Sequence, residues 1–173
     1  MKDQGKVIWI TGLAGAGKTT LATKLCKRFR QENSNVIQLD GDKLRDLFVG
    51  GLGADTSREA RLKLSFGYSK LCKLLAGQGF IVVIATVSLF KEVHKWNRSN
   101  IPVYKEVFLK VPFKELEARD QKGLYSKFRN GEIRDVVGLD IDFDEPLNPD
   151  FVFKYTKGVT VADTSEILFE KLK

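Results

Sequence analysis

An apolar run, Val7-Ile8-Trp9-Ile10, gives way at once to Gly12-Leu13-Ala14-Gly15-Ala16-Gly17-Lys18-Thr19, and this junction leaves the chain little choice of fold. The second stretch fits G-x-x-x-x-G-K-[ST], the P-loop pattern. Its three glycines let the backbone turn so that successive N–H groups face one hollow. A helix starting near Gly17 adds the positive end of its dipole, so a polyphosphate fits there. Lys18 is expected to neutralise the β- and γ-phosphates, and the Thr19 hydroxyl to be a ligand of the Mg²⁺ that bridges them. A plain glycine-rich turn would account for the glycines but not for Lys-Thr at that offset.

The remainder alternates short apolar strands with amphipathic helices. Strands are predicted at Lys6–Thr11, Val36–Leu39, Phe80–Val87, Tyr104–Leu109, Phe151–Phe153 and Val159–Val161. Helices are predicted at Lys18–Gln31, with Leu21, Leu25, Cys26 and Phe29 on one face, and at Ser57–Leu75, Lys91–Arg98, Phe113–Arg119 and Ser165–Leu172. This order predicts an α/β fold with a parallel sheet covered by helices on both faces, and ligands beyond the carboxyl ends of its strands. Residues 120–149 stand apart: glycines and prolines among many charges, weakly periodic, and long for a loop, as a mobile lid would be. The 173 residues are expected to form a single domain.

Composition narrows the classes. The formal charge of +7 is dispersed rather than gathered in a tail, and suits an enzyme of polyanionic substrates as well as a nucleic-acid binder. Cys26 and Cys72 sit in apolar helical patterns without a C-x-x-C partner, so they read as core thiols in a reducing, cytoplasmic setting. No apolar run reaches the length of a membrane span, and no membrane partner is expected. An RNA-binding reading lacks interleaved surface aromatics and any RNA motif, so no nucleic-acid partner is expected. His94, the only histidine, is expected on a helix surface and Trp9 in the core.

Asp40 and Asp42 fall where the second strand ends, with Arg45 one helical turn later, and the doubly wound order places them beside the P-loop. Phosphoryl transfer uses such a set: a carboxylate for the hydroxyl proton and an arginine for an anionic acceptor. Asp-Gly-Asp also makes a helix cap and turn, and these residues alone favour neither reading.

Gly12 to Thr20, Leu39 to Arg45, Glu106-Val107-Phe108, Ala118-Arg119-Asp120, Lys122-Gly123-Leu124-Tyr125, Gly131-Glu132-Ile133, Gly138-Leu139-Asp140 and Pro146-Leu147-Asn148-Pro149-Asp150 together resemble the adenylylsulfate kinases. The resemblance covers nearly the whole chain. It implies a five-stranded parallel sheet of the P-loop NTPase type, a lid, a homodimer, and ATP-dependent phosphorylation of the 3′-hydroxyl of a nucleotide whose 5′-phosphate carries a small acidic group. It implies ATP and Mg²⁺ at Gly12, Leu13, Ala14, Gly15, Ala16, Gly17, Lys18, Thr19, Thr20 and Arg119. Asp42 would be the catalytic carboxylate with Asp40 beside it, and Lys18 would act on the transferred group. Arg45, Arg58, Arg61, Lys122 and Leu124 would face the small-molecule nucleotide acceptor.

This chain departs from the family pattern on the acceptor side. Leu52-Gly53-Ala54 has no aromatic residue until Phe66, Val136 stands where a second ring is expected, and Arg61 stands where asparagine is expected. The segment from Leu52 to Arg58 is also one residue shorter than usual. A base–aromatic stack contributes about 1–3 kcal/mol, so two missing rings imply a different base. Among relatives of this family, the kinase of cytidine diphosphoramidate, which serves phosphoramidate decoration of capsular polysaccharide, fits that departure. Adenylylsulfate is the alternative acceptor, and a non-catalytic nucleotide- or RNA-binding P-loop protein a remote one.

Overall fold

The computed structural model describes residues 5–32, 34–49, 55–120 and 122–173. Five strands, β1 (Lys6–Thr11), β2 (Val36–Asp40), β3 (Ile81–Ala85), β4 (Tyr104–Lys110) and β5 (Phe151–Lys154), form one all-parallel sheet in the order β2-β3-β1-β4-β5. The helices are α1 (Lys18–Gln31), α2 (Gly41–Val49), α3 (Arg58–Gly77), α4 (Lys91–Asn100), α5 (Phe113–Arg119), α6 (Leu124–Arg129) and α7 (Val161–Leu172).

The period of two along a strand sorts the apolar residues into two layers. Ile8 and Ile10 of β1, Val83 and Ala85 of β3, and Val107 and Leu109 of β4 pack with Leu21, Leu25, Phe29, Leu168 and Phe169 of α1 and α7. Val7, Trp9, Val82 and Ile84 point the other way, onto Tyr68 and Cys72 of α3 and Val93 of α4. Both cysteines are buried and free, and burial pushes the Cys26 thiol up to about 11. Among the described residues no helix is long and apolar enough to cross a membrane.

The last predicted strand is corrected. Residues 159–161 make no strand among the described elements, and α7 begins at Val161 rather than Ser165. Thr160 caps it: its hydroxyl accepts from the Asp163 amide at 3.2 Å, and the Asp163 carboxylate accepts from the Thr160 amide at 2.8 Å. The β-branched run Val-Thr-Val concealed a capping box. His94 is also corrected. It is only 7% exposed, on the face of α4 that meets the sheet, and its Nε2 donates to the Ser88 carbonyl at 3.0 Å. Trp9 is fully buried as expected, and Trp96 packs edge-on against Phe66 away from the cleft.

Candidate active site

Register puts the site at the carboxyl edge of the sheet. Ile10 and Asp40 both pair with Ala85, so the ends of β1 and β2 lie level with β3 between them. Asp40 is therefore two strand spacings, about 10 Å, from β1, not immediately beside it. The P-loop and α1 span that gap. Thr19 Oγ1 donates to Asp40 Oδ2 at 2.7 Å, and one turn further Gln38 Nε2 donates to Thr23 Oγ1 at 2.9 Å.

The loop turns through Gly15 and Gly17 at φ of 79° and 93°, and Gly17 is the left-handed residue from which α1 starts. The Lys18 ammonium lies across the loop and donates to the Leu13 carbonyl at 2.8 Å. Burial lowers its pKa from 10.5 to about 8; the Asp42 carboxylate opposes that shift, Lys122 reinforces it, and Asp40 opposes it. Thr20 lines the cleft beside Thr19. The buried Ala16 closes the loop through its amide to Leu13, at 3.2 Å.

The Asp-Gly-Asp element combines both of its sequence readings. Asp40 Oδ1 accepts from the Asp42 amide at 3.0 Å, which starts α2, while Oδ2 takes the Thr19 hydroxyl. Gly41 is required between them, because a Cβ there would stand 2.7 Å from Thr86 Oγ1. Asp42 receives Arg45 Nη2 on Oδ1 at 2.8 Å and Lys122 Nζ on Oδ2 at 2.5 Å. Partial burial would raise its carboxyl, but the Lys122 hydrogen bond and the charges of Lys122, Arg45 and Lys18 together hold it below its usual value.

The segment predicted as a lid carries one short helix, α6, and is bolted to the P-loop. Arg119 Nη1 donates to the Gly15 carbonyl at 3.4 Å with its guanidinium over Tyr155. The Asp120 carboxylate accepts from the Tyr125 and Ser126 amides at 3.0 and 2.9 Å and so organises the start of α6. Tyr125, part of the family motif but given no role from the sequence, donates its hydroxyl to the Ala14 carbonyl at 2.8 Å. Further along, Asp140 accepts from the amides of Asp135 and Val136. Arg61 donates to the carbonyls of Asp135 and Thr56, both at 2.7 Å, which brings this turn against α3. At the far end Asp150 gathers Arg98, Lys105 and the Glu106 amide.

These elements enclose a cavity of about 300 Å³ lined by both halves of the candidate set: Ala14, Gly15, Gly17, Lys18, Thr19 and Thr20 on one side, and Asp40, Asp42, Arg45, Arg61, Lys122 and Leu124 on the other. Val136, 4% exposed, lines it with an aliphatic side chain. Ala54 lies outside the described residues. Arg58 is not brought into the cavity; its guanidinium lies over the Phe90 ring and pairs with Asp144 at 3.4 Å and Glu92 at 3.9 Å. Sequence reasoning missed two rings that do line the cavity, Phe90 and Tyr68, together with Ser65, Thr86 and Ser88. Only the apolar run of β3, which ends among them, hinted at their place. Tyr68 donates to the Gly41 carbonyl at 2.9 Å, and burial raises its phenol to about 12.

The described residues contain no group of three or more His, Cys, Asp or Glu placed to hold a metal ion. Thr19 and Asp40 offer two adjacent hard oxygens, which suits an ion that draws its other ligands from phosphates and water.

The sequence model for adenylylsulphate kinase matches residues 4–154. The chain is 38% identical over 172 residues, 99% of each protein, to the cytidine diphosphoramidate kinase of Campylobacter jejuni subsp. jejuni serotype O:2. It is 37% identical over 150 residues, 87% of this chain and 84% of the relative, to the adenylyl-sulfate kinase of Gloeothece citriformis. Among solved structures it superposes on the APS kinase CysC of Mycobacterium tuberculosis in complex with AMPPNP and APS, with a TM-score of 0.89 and 30% identity over 98% of both chains. A phosphate loop facing a carboxylate and a cluster of cations across one cleft has the parts that these kinases need, and the chain belongs to the adenylylsulfate kinase family, as an ATP-dependent nucleotide kinase with a hydroxyl acceptor.

Proposed function

We propose that the protein transfers the γ-phosphoryl group of ATP to the 3′-hydroxyl of cytidine diphosphoramidate, a step that would serve phosphoramidate modification of capsular polysaccharide. The observation that carries the base assignment is Val136, an aliphatic wall where the family resemblance calls for a ring. The full-length similarity to a cytidine diphosphoramidate kinase supports it. In this reading Asp42 accepts the hydroxyl proton as the 3′-oxygen attacks. Lys18 and Arg119 hold the triphosphate, Arg45, Arg61 and Lys122 hold the acceptor's anionic groups, and Leu124 packs over it. Arg58 acts from the rim, by backing Phe90. Thr19, with Asp40 next to it, would hold Mg²⁺, which when bound neutralises phosphate charge.

Adenylylsulfate is the second reading, favoured by the rings of Phe90 and Tyr68 in the cavity and by the likeness to CysC bound to APS. An ADP-release assay with MgATP, comparing kcat/KM for the two acceptors, separates them. The proposal expects preference for the cytidine compound by tenfold or more; preference for adenylylsulfate overturns it.

A further inference from the structure

Three buried hydroxyls line the cavity that holds Asp42 and Val136. Ser65 on α3, and Thr86 and Ser88 just beyond β3, are 3%, 5% and 5% exposed. Thr86 Oγ1 lies 2.7 Å from Ser88 Oγ, which lies 2.8 Å from Ser65 Oγ. Distance alone does not say which oxygen donates in either pair, but the far end of the chain does. Ser65 Oγ is 2.8 Å from the Arg61 carbonyl, which can only accept, so the single hydroxyl proton of Ser65 is committed there. Ser88 must then donate to Ser65, and Thr86 to Ser88. All three protons are used within the chain, and what it offers the cavity is lone pairs.

The chain is also held in place. Ser88 sits at a φ of 24°, a conformation that few residues other than glycine adopt, and its carbonyl accepts from the Phe90 amide and from His94 Nε2, each at 3.0 Å. Because a carbonyl cannot donate, Nε2 is the protonated nitrogen of His94. Thr86 lies close against Gly41 at the start of α2, where even a Cβ would stand 2.7 Å from its hydroxyl.

We infer that the Thr86–Ser88–Ser65 relay sets base selectivity, accepting hydrogen bonds from an exocyclic amine and rejecting a carbonyl at the same place. The acceptor base is then cytosine rather than uracil or, for a purine, adenine rather than hypoxanthine. This rests on the reading above, in which the acceptor base occupies the Val136 side of the cavity. An amine brings a proton to each lone pair it meets. A ring carbonyl brings none, and buried acceptors left facing acceptors are the arrangement by which a polar site discriminates most strongly.

The test is calorimetric titration of the full chain with CMP, UMP, AMP and IMP, with the triphosphate half of the cleft filled by excess MgADP. CMP is expected to bind at least tenfold more tightly than UMP. Ser65→Ala removes the fixed end of the relay and frees the Ser88 proton to turn outward, so the CMP to UMP ratio falls below threefold, mainly through tighter UMP binding. Thr86→Val removes lone pairs and weakens CMP about tenfold without improving UMP. Titration of each variant with MgADP reports whether its P-loop half is folded. If adenine nucleotides bind better than both pyrimidines, the cytidine reading fails, while an AMP preference over IMP that Ser65→Ala erases upholds the relay. No amine preference in either pair, or a preference unchanged in Ser65→Ala, overturns the relay whichever base binds better.

Discussion

The two sides of the cleft are made of different material. On the phosphate side the groups facing the ligand are largely backbone, a loop whose glycines take left-handed angles between β1 and α1, with Lys18 lying across it. On the acceptor side they are side chains from α2, α3 and the segment that follows α5, held to one another by ion pairs and by hydrogen bonds to carbonyls. Backbone amides in a fixed turn need no reorganisation to meet a phosphate. In the proposed reading, the side chains of the other half exchange partners with the substrate. The phosphate side is therefore the constant half of this enzyme and the acceptor side its adjustable half.

Substitutions that affect one half and not the other sharpen the contrast. Asp42→Ala has the largest expected effect: kcat falls about 10³-fold, within the range for a lost general base, while the KM for ATP moves little. Steady-state kinetics at saturating acceptor checks both numbers, and near-native kcat would remove Asp42 from its proposed role.

Next is the pH dependence of ATP binding. With the Lys18 pKa lowered to about 8, the free protein sheds that proton above pH 8, whereas the bound triphosphate calls for the ammonium. ATP affinity is thus expected to fall about tenfold per pH unit above 8 until the bound-state pKa is reached. Calorimetry at pH 8.5 in two buffers of different ionisation enthalpy should show proton uptake. The same shift has the opposite sign for folding: between about 8 and 10.5 the unfolded chain binds the extra proton, so the unliganded protein gains stability as pH rises through that window.

Arg61→Ala releases the carbonyls of Asp135 and Thr56 and is expected to raise the acceptor KM about tenfold, in line with hydrogen bonds from a charged donor. The KM for ATP should stay within about twofold, and an equal rise in both would erase the distinction between the halves. Tyr125→Phe, which removes the hydroxyl bond to the Ala14 carbonyl, has the smallest expected effect: kcat/KM for ATP drops about fivefold, about 1 kcal/mol.

The contrast also explains what could be read in advance. The P-loop is contiguous, so its shape follows from neighbouring residues, and strands buried on both faces advertise themselves as unbroken apolar runs. The proximity of Asp42 and Arg45, one helical turn apart, was legible for the same reason, although these residues alone did not separate a phosphoryl-transfer set from a helix cap. The contact between Asp42 and Lys122 spans 80 positions, and no local rule shows it; the family resemblance put both residues on the acceptor side without pairing them. Ser65, Thr86 and Ser88 were passed over because small hydroxyl residues in apolar surroundings carry no periodic signal until packing brings them together. His94 escaped because a polar residue in a charged helix reads as exposed; its burial is made tolerable by the Ser88 carbonyl beneath it, with the Glu106 carboxylate 3.9 Å from its other ring nitrogen.

The grip of Arg45 and Lys122 on Asp42 also bears on thrift. A kinase that loads ATP before its second substrate risks handing the phosphoryl group to water. Here the carboxylate that could activate a water molecule has a cation on each oxygen and a depressed basicity, so it is a poor base until something draws those cations away. In the proposed reading, an acceptor carrying its own anions would do so and deliver the hydroxyl in the same event. If Asp42 is the base proposed above, the ion pair would act as a guard against futile hydrolysis, keeping ATP intact until the correct alcohol is in position.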